Sequence, residues 1–213
     1  MEDKKFLIEC CSKVKKLIEL GEFLYRGTDV LKRHWETTYT FNEAILYNKK
    51  CVDIGIWHGI CNAYALKKLK LQTTHGFEPS KDFRDICSKL LPETKLYSTI
   101  DDLTDTINTD IIFMLGLIPM LGTEWKEQLD NILQKITANY IIIRHQTYVD
   151  SEEFKSLDSG GREYNVFGVT NYNQSAKIED VIQYLQEKQW KLIKKHEGLD
   201  YKTSNVYTFQ NDN

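Results

Sequence analysis

Two short stretches hold residue types from which a ligand site can be built. The first is CVDIGIWHGI at positions 51–60, where Asp53 is followed by Gly55, Trp57 and Gly59 on alternate positions. Glycines take backbone shapes closed to other residues and let a ligand touch the main chain. The second is HGFEPS at positions 75–80, where Glu78 stands 25 positions after Asp53. A carboxylate at the end of a strand can accept two hydrogen bonds from ribose hydroxyls. Pro79 and Ser80 behind it are suited to stop the strand and cap the next helix.

These residues need a frame, and the hydrophobic pattern supplies one. Leu7, Cys10, Val14, Leu17, Ile18 and Leu24 recur close to helical spacing over residues 4–24, with lysines between them. That predicts an amphipathic helix lying on the main core. A polar and aromatic connector covers residues 25–39, and FNEAILYN reads as a short helix.

An alternation then begins. KKCVDIG is strand-like and GICNAYALKKLK helix-like; TTHGFE is strand-like and SKDFRDICSKLL helix-like. KLYST is a short strand and DDLTDTI a short helix or turn. TDIIFMLG and NYIIIRH are buried strands on either side of the amphipathic helix TEWKEQLDNILQKI. Residues 150–175, rich in Gly, Ser, Asn and Tyr, read as a long loop. KIEDVIQYLQEKQ is a helix, and WKLIKKHEG and SNVYTFQ are strands with no helix between them.

Short strands alternating with longer helices argue for an α/β fold with a mostly parallel sheet. The runs Ile111–Leu115 and Tyr140–Ile143 are apolar at nearly every position, as in strands covered on both faces. The last two strands are expected to form an antiparallel hairpin at the sheet's edge. In such sheets ligands sit outside the carboxyl ends of the strands, where the chain order reverses.

The totals set bounds. A chain of 213 residues makes one large domain, or a core with a small appendage. A hydrophobic fraction of 41% and a charged fraction of 28% are those of an ordinary globular protein. The net charge of −3 argues against non-specific binding to nucleic acid. Cys10, Cys11, Cys51, Cys61 and Cys87 form no CxxC pair, so reduced thiols in a cytoplasmic protein are expected and a zinc site is not. No apolar run approaches the ~20 residues of a membrane span.

The loop lacks the GxGxxG fingerprint of a dinucleotide site, because Trp57 intervenes between Gly55 and Gly59. Its D-x-G-x-x-x-G spacing instead resembles the first motif of class I S-adenosylmethionine-dependent methyltransferases, D/E-x-G-x-G-x-G. HGFEPS resembles the second, an apolar strand ending in G-x-D/E-x-S. The resemblance runs over roughly residues 45–209, in matching element order. It implies a Rossmann-like, seven-stranded, mostly parallel sheet with helices on both faces. Residues 46–213 would be the methyltransferase domain, and residues 1–45 a helical cap with His34, Trp35 and Tyr39 near the site.

The resemblance also implies roles, position by position. S-adenosyl-L-methionine is the implied cofactor. Asp53, Gly55, Trp57 and Gly59 would pass beside its amino-acid part, and Glu78 would hold its ribose. Phe77 and Pro79 would flank the adenine, with Ser98, Thr99 or Asp101 near the adenine amine. Leu115 and the LGLIP segment would face the methyl group. The departure is Trp57, where relatives carry a glycine; an indole there either crowds the methionine end or caps the pocket.

Methyl transfer is an in-line displacement, so the protein mainly aligns a nucleophile and supplies a base where the acceptor needs one. His145, just past the Tyr140–Ile143 run, is the first candidate base, with His58 and Glu124 in reserve. Arg144 is suited to an acidic substrate group. Arg162, Tyr164 and Tyr172 of the long loop are candidates for covering the acceptor.

The expected acceptor is a small molecule. A fainter resemblance of FMLGLIPMLG and YIIIRHQTY to a bacterial group linked to surface-polysaccharide genes points to a sugar or sugar-derived metabolite. The stretch LGLIPML lacks the N/D-P-P-Y/F motif of amino-methylating relatives that act on nucleic acid. No nucleic-acid or membrane partner is therefore expected, and a homodimer is the assembly this reading allows. The rival reading keeps the fold and loses the chemistry: a binding or scaffold domain with Trp57 in the pocket.

Overall fold

The computed structural model describes residues 2–14, 35–118, 121, 124–146, 177–197 and 204–212. The apolar runs become the centre of a seven-stranded sheet. β1 (Lys50–Ile54), β2 (Gln72–Phe77), β3 (Lys95–Tyr97), β5 (Ile111–Leu115) and β7 (Tyr140–Gln146) run parallel. β8 (Trp190–Glu197) and β9 (Ser204–Asn211) pair antiparallel, and β9 also pairs antiparallel with β7. The spatial order is β3-β2-β1-β5-β7-β9-β8. The chain steps outward from β1 to β3 and returns to lay β5 on the other side of β1, so the order reverses between β1 and β5. A separate ladder of two residues per strand joins β4 (Ile107–Asn108) to β6 (Ile136–Thr137).

Alternation across the pleat fills both faces, as the near-continuous apolar strands require. Val52, Ile54, Phe77, Ile112, Met114 and Ile141 pack with α5 (Trp125–Lys135) and α6 (Ile178–Glu187). Cys51, Ile111, Phe113 and Ile142 pack on the other face with Ala65 and Leu69 of α3 (Ile60–Leu69). Tyr39, from a π-helical turn at Trp35–Thr40, and Leu46, from α2 (Glu43–Leu46), complete that second layer. Ordinary burial contributes about 1.5–3 kcal/mol for each such large apolar side chain.

Further out, α1 (Glu2–Lys13) sets Phe6, Leu7 and Cys10 against Ile60 and Tyr64 of α3 and Ile86 of α4 (Lys81–Leu90). Leu17, Ile18 and Leu24 of the predicted first helix lie outside the described residues.

Two local details differ from the sequence expectation. A one-residue bulge separates the pairs Cys51↔Thr73 and Val52↔His75. Without it Thr73 and His75 would share a face. With it, Thr73 reaches Asn62 of α3 while His75 stacks on Tyr97 beneath the opposite face. The second detail is that β7 runs beyond the apolar Tyr140–Ile143 run, through His145 to Gln146, because β9 pairs with it as far as Gln146↔Ser204. His145 is thus a strand residue.

Gly59 marks where β1's loop becomes α3. It has φ +71°, and a Cβ there would stand 2.6 Å from Cys87 Sγ and 3.2 Å from Leu91 Cδ1. Left-handed backbone and a close neighbouring helix both require glycine at this point. Gly59→Ala is expected to lower stability by roughly 1–3 kcal/mol, since backbone strain and overpacking add. Chemical denaturation of the two proteins measures the difference, and equal midpoints would remove the packing argument.

Candidate functional site

The carboxyl ends of β1, β2, β5 and β7 bring most of the singled-out residues to one edge of the sheet. The centre is Glu78, directly after β2 and only 2% exposed. Its Oε2 accepts the main-chain N–H of Trp57 at 3.1 Å, and its Oε1 accepts that of Ser80 at 2.9 Å. One carboxylate therefore fixes both the loop after β1 and the turn after β2. Burial pushes its pKa up, opposed by those two N–H groups and by Arg84. Each oxygen keeps a second lone pair for a further donor.

Arg84, which the sequence reading passed over, braces the same turn. Its Nη1 donates to the carbonyls of Glu78 at 2.5 Å and Pro79 at 2.7 Å. Its place in the first turns of the helix after HGFEPS was the available signal. Ser80 caps that helix as expected, accepting the N–H of Phe83 at 3.4 Å.

The loop itself is sharply turned. Gly55 has φ +87°, Trp57 φ +55° and Gly59 φ +71°. A non-glycine residue in that region costs on the order of 1–2 kcal/mol, so its surroundings must hold Trp57 there. The N–H bond to Glu78 does so from one side. From the other, the indole stacks on His58 (4.2 Å between centroids, 23°) and meets the edge of Phe83 at 5.7 Å. The indole remains 46% exposed. A Cβ built on Gly55 would meet Leu117 Cδ1 at 3.8 Å, and no Trp57 atom comes within 4 Å of it. The ring thus leaves free the side of Gly55 on which a Cβ would stand.

His58 lies beneath the indole, 4% exposed, with Nδ1 accepting the N–H of Ile60 at 3.3 Å. Burial lowers its pKa to about 3, so its imidazole is neutral.

Asp53 is buried under this loop, 3% exposed. Its Oδ2 accepts from Asn62 Nδ2 at 2.8 Å, and the same amide donates to Thr73 Oγ1 at 3.2 Å. The β2 bulge is what turns Thr73 toward that amide. Asp53 Oδ1 has no hydrogen-bond partner among the described residues. Burial raises the Asp53 pKa to about 7; the Asn62 bond opposes the rise and the nearby Glu78 charge adds to it.

Phe77 is buried, with its ring stacked on Tyr97 at 5.3 Å. Thr99 lies in the turn after β3, where Asp102 Oδ2 accepts the N–H groups of Ser98 and Thr99, both at 2.9 Å. Asp102 was not singled out from sequence; its position three residues after Thr99 in a capping box was the signal. Asp101 is drawn toward α5 by Asn131 at 2.9 Å and Lys135 at 3.1 Å. Glu124 is exposed at the start of α5.

Leu115 ends β5 opposite Arg144, whose carbonyl accepts the N–H of Gly116 at 2.9 Å. Arg144 lies on the Phe113 side of the sheet, where its charge is felt at Cys61. His145 is buried, points to the other side, and stands beyond the last β5–β7 pair. Arg162, Tyr164, Tyr172 and His34 lie outside the described residues, as does the Trp35 side chain. Among the described residues no group of three or more His, Cys, Asp or Glu is placed to hold a metal, and no helix is long and apolar enough to cross a membrane.

The site makes a pH-dependent contribution to stability. The Asp53 pKa rises from 3.8 to about 7 on folding, so its stabilisation is complete below 3.8 and is lost as the pH climbs to about 7. Asp53→Asn cannot ionise and escapes that loss. The Tm of the variant minus that of the native chain is expected to grow from pH 4 to pH 7 and then level off; a constant difference across that range, read by scanning calorimetry, would show Asp53 ionising as an ordinary carboxylate.

No protein-family model matches the sequence, and no curated protein matches it. Solved structures do match the fold. A S-adenosylmethionine-dependent methyltransferase from Clostridium acetobutylicum ATCC 824 superposes with a TM-score of 0.64 over 93% of this chain and 99% of that one, at 12% identity. The methyltransferase domain of bacterial CtHen1 gives 0.60 over 85% and 98%, at 10% identity. Magnesium protoporphyrin IX methyltransferase from Synechocystis PCC 6803, with bound SAH, gives 0.58 over 88% and 84%, at 11% identity. The mostly parallel seven-stranded sheet with its antiparallel hairpin agrees with these likenesses: this chain has the fold of the class I S-adenosylmethionine-dependent methyltransferases.

Proposed function

We propose that this chain binds S-adenosylmethionine at the carboxyl edge of the sheet and transfers its methyl group to a small-molecule acceptor. The observation that carries the reading is Glu78. It is a buried carboxylate at the end of β2, hydrogen-bonded to the loop that follows β1, beside the point where the strand order reverses. Ligands of open α/β sheets bind there. The unpartnered Oδ1 of Asp53 fits a ligand bearing positive charge, as this cofactor does. Gly116, with φ +81° and no atom of the described residues within 4 Å of a built Cβ, leaves room past the end of β5.

When bound, the cofactor supplies a methyl group already activated for displacement. The chain's own task is alignment. Glu78 would hold the ribose hydroxyls, the Gly55 loop would lie beside the amino-acid end, and Phe77, Pro79 and Thr99 would bound the adenine. His145, beyond the end of β5, would take the proton from an oxygen or nitrogen acceptor. Arg144 would hold an acidic group of that acceptor.

Neighbours of this fold act on unlike acceptors, including magnesium protoporphyrin IX and tRNA. The net charge of −3 favours a small acceptor over a polyphosphate chain. Trp57 supports a second reading, a domain that binds without transferring, because it stands at the middle-glycine position of the motif that the loop resembles.

Calorimetric titration separates these readings. Micromolar binding of S-adenosylmethionine and S-adenosylhomocysteine, about −8 kcal/mol, with none of NADH, is the expected result. Glu78→Ala should weaken that binding by roughly 1–3 kcal/mol, the loss of charge-assisted hydrogen bonds; unchanged affinity would remove Glu78 from the site. With an acceptor in hand, His145→Ala should lower kcat at least tenfold, within the usual range of roughly 100- to 10,000-fold for a base, while cofactor affinity stays within twofold. Normal turnover would end the claim of His145 as base.

A further inference from the structure

Asp53 and Glu78 are two buried acids in unlike settings. Burial raises the pKa of Glu78, and the main-chain N–H groups that both its oxygens accept oppose that rise. Asp53 receives one amide donor on Oδ2 and none on Oδ1, and no cation pairs with it among the described residues. Neighbouring buried acids with unequal numbers of donors hold their protons unequally.

The groups around Asp53 do not supply the missing charge. Tyr39 faces it from the π-helical turn, Cys51 from its own strand, Cys61 and Asn62 from α3, Cys87 from α4 and Glu78 from beyond β2. Burial keeps the tyrosine and the three thiols neutral, with Cys61 and Cys87 pushed up to about 12. Glu78 is of the same sign as Asp53. Arg144 acts on Cys61 from β7 and is not among the groups that shift Asp53. The site therefore holds a carboxyl group whose ionised form awaits a cation from outside.

Resting on the cofactor reading above, we propose that binding of S-adenosylmethionine expels the proton of Asp53 and leaves its carboxylate as counter-ion to the ligand's positive charge. The carboxyl O–H bond breaks, the proton passes to solvent, and Oδ1 gains the donor it lacks. No other bond changes. Cofactor affinity is then tied to pH through a residue that touches no acceptor.

Calorimetry at about pH 6 in two buffers of different ionisation enthalpy counts the protons released by the native chain. Close to one per site, about 0.9 for a free-state pKa of about 7, is expected. Affinity should tighten roughly eightfold from about pH 6 to about pH 7.5, following the ionised fraction of Asp53. Asp53→Asn should bind with no proton release and a flat pH profile. Binding by the native chain without proton exchange overturns the proposal and leaves the cofactor reading intact. Undiminished release from the Asn variant also overturns it, by assigning the proton to another group. No binding at either pH overturns the cofactor reading and the proposal together. The two-buffer count uses the native chain and decides the matter even where the variant fails to fold.

Discussion

The bond from Trp57 N–H to Glu78 is the constraint on which the rest of the site depends. It joins the loop after β1 to the turn after β2, and the Ser80 N–H and Arg84 tie that turn in place. A buried carboxylate that lost these donors would carry an uncompensated charge, which costs far more than any single bond contributes. The left-handed backbone at Trp57 and its stack on His58 stand on one side of this bond, and the Ser80 cap of α4 on the other. The core beneath is ordinary by comparison; two faces of Ile, Val and Phe would hold the sheet whichever residues stood at its edge.

Much of this was legible in the sequence because it is local. Asp53, Gly55, Gly59 and Glu78 declare themselves by type and by position at the ends of strands. The sheet is legible in the alternation, since strands covered on both faces have few other ways to read. The hairpin at its edge shows in two strands with no helix between them. Ser80 is a cap for the same local reason.

What was not legible is set by distance along the chain. Asn62 donates to both Asp53 and Thr73; Thr73 is turned toward it by a single extra residue in β2, and nothing in TTHGF marks that residue. His145 reads as lying past the end of a strand when the apolar run alone is considered. Its true place is decided by β9, whose Asn205 is its partner across the ladder. Arg84 and Asp102 are polar residues on helical turns, a setting in which most such residues only meet water. Their roles come from main-chain groups that the fold brings near.

The insertion of β9 between β7 and β8 has a consequence for how the chain is made. The partner of Tyr140 is Gln210, and that of Ile142 is Thr208. While the chain is being synthesised, β7 can dock on β5, yet its outer edge stays open until some sixty more residues have emerged. That edge carries Ile141, Ile142 and Ile143, among the most buried side chains of the finished sheet. A nascent chain with such an edge is exposed to wrong pairing. β9 acts as the fastener that closes this edge of the parallel strands.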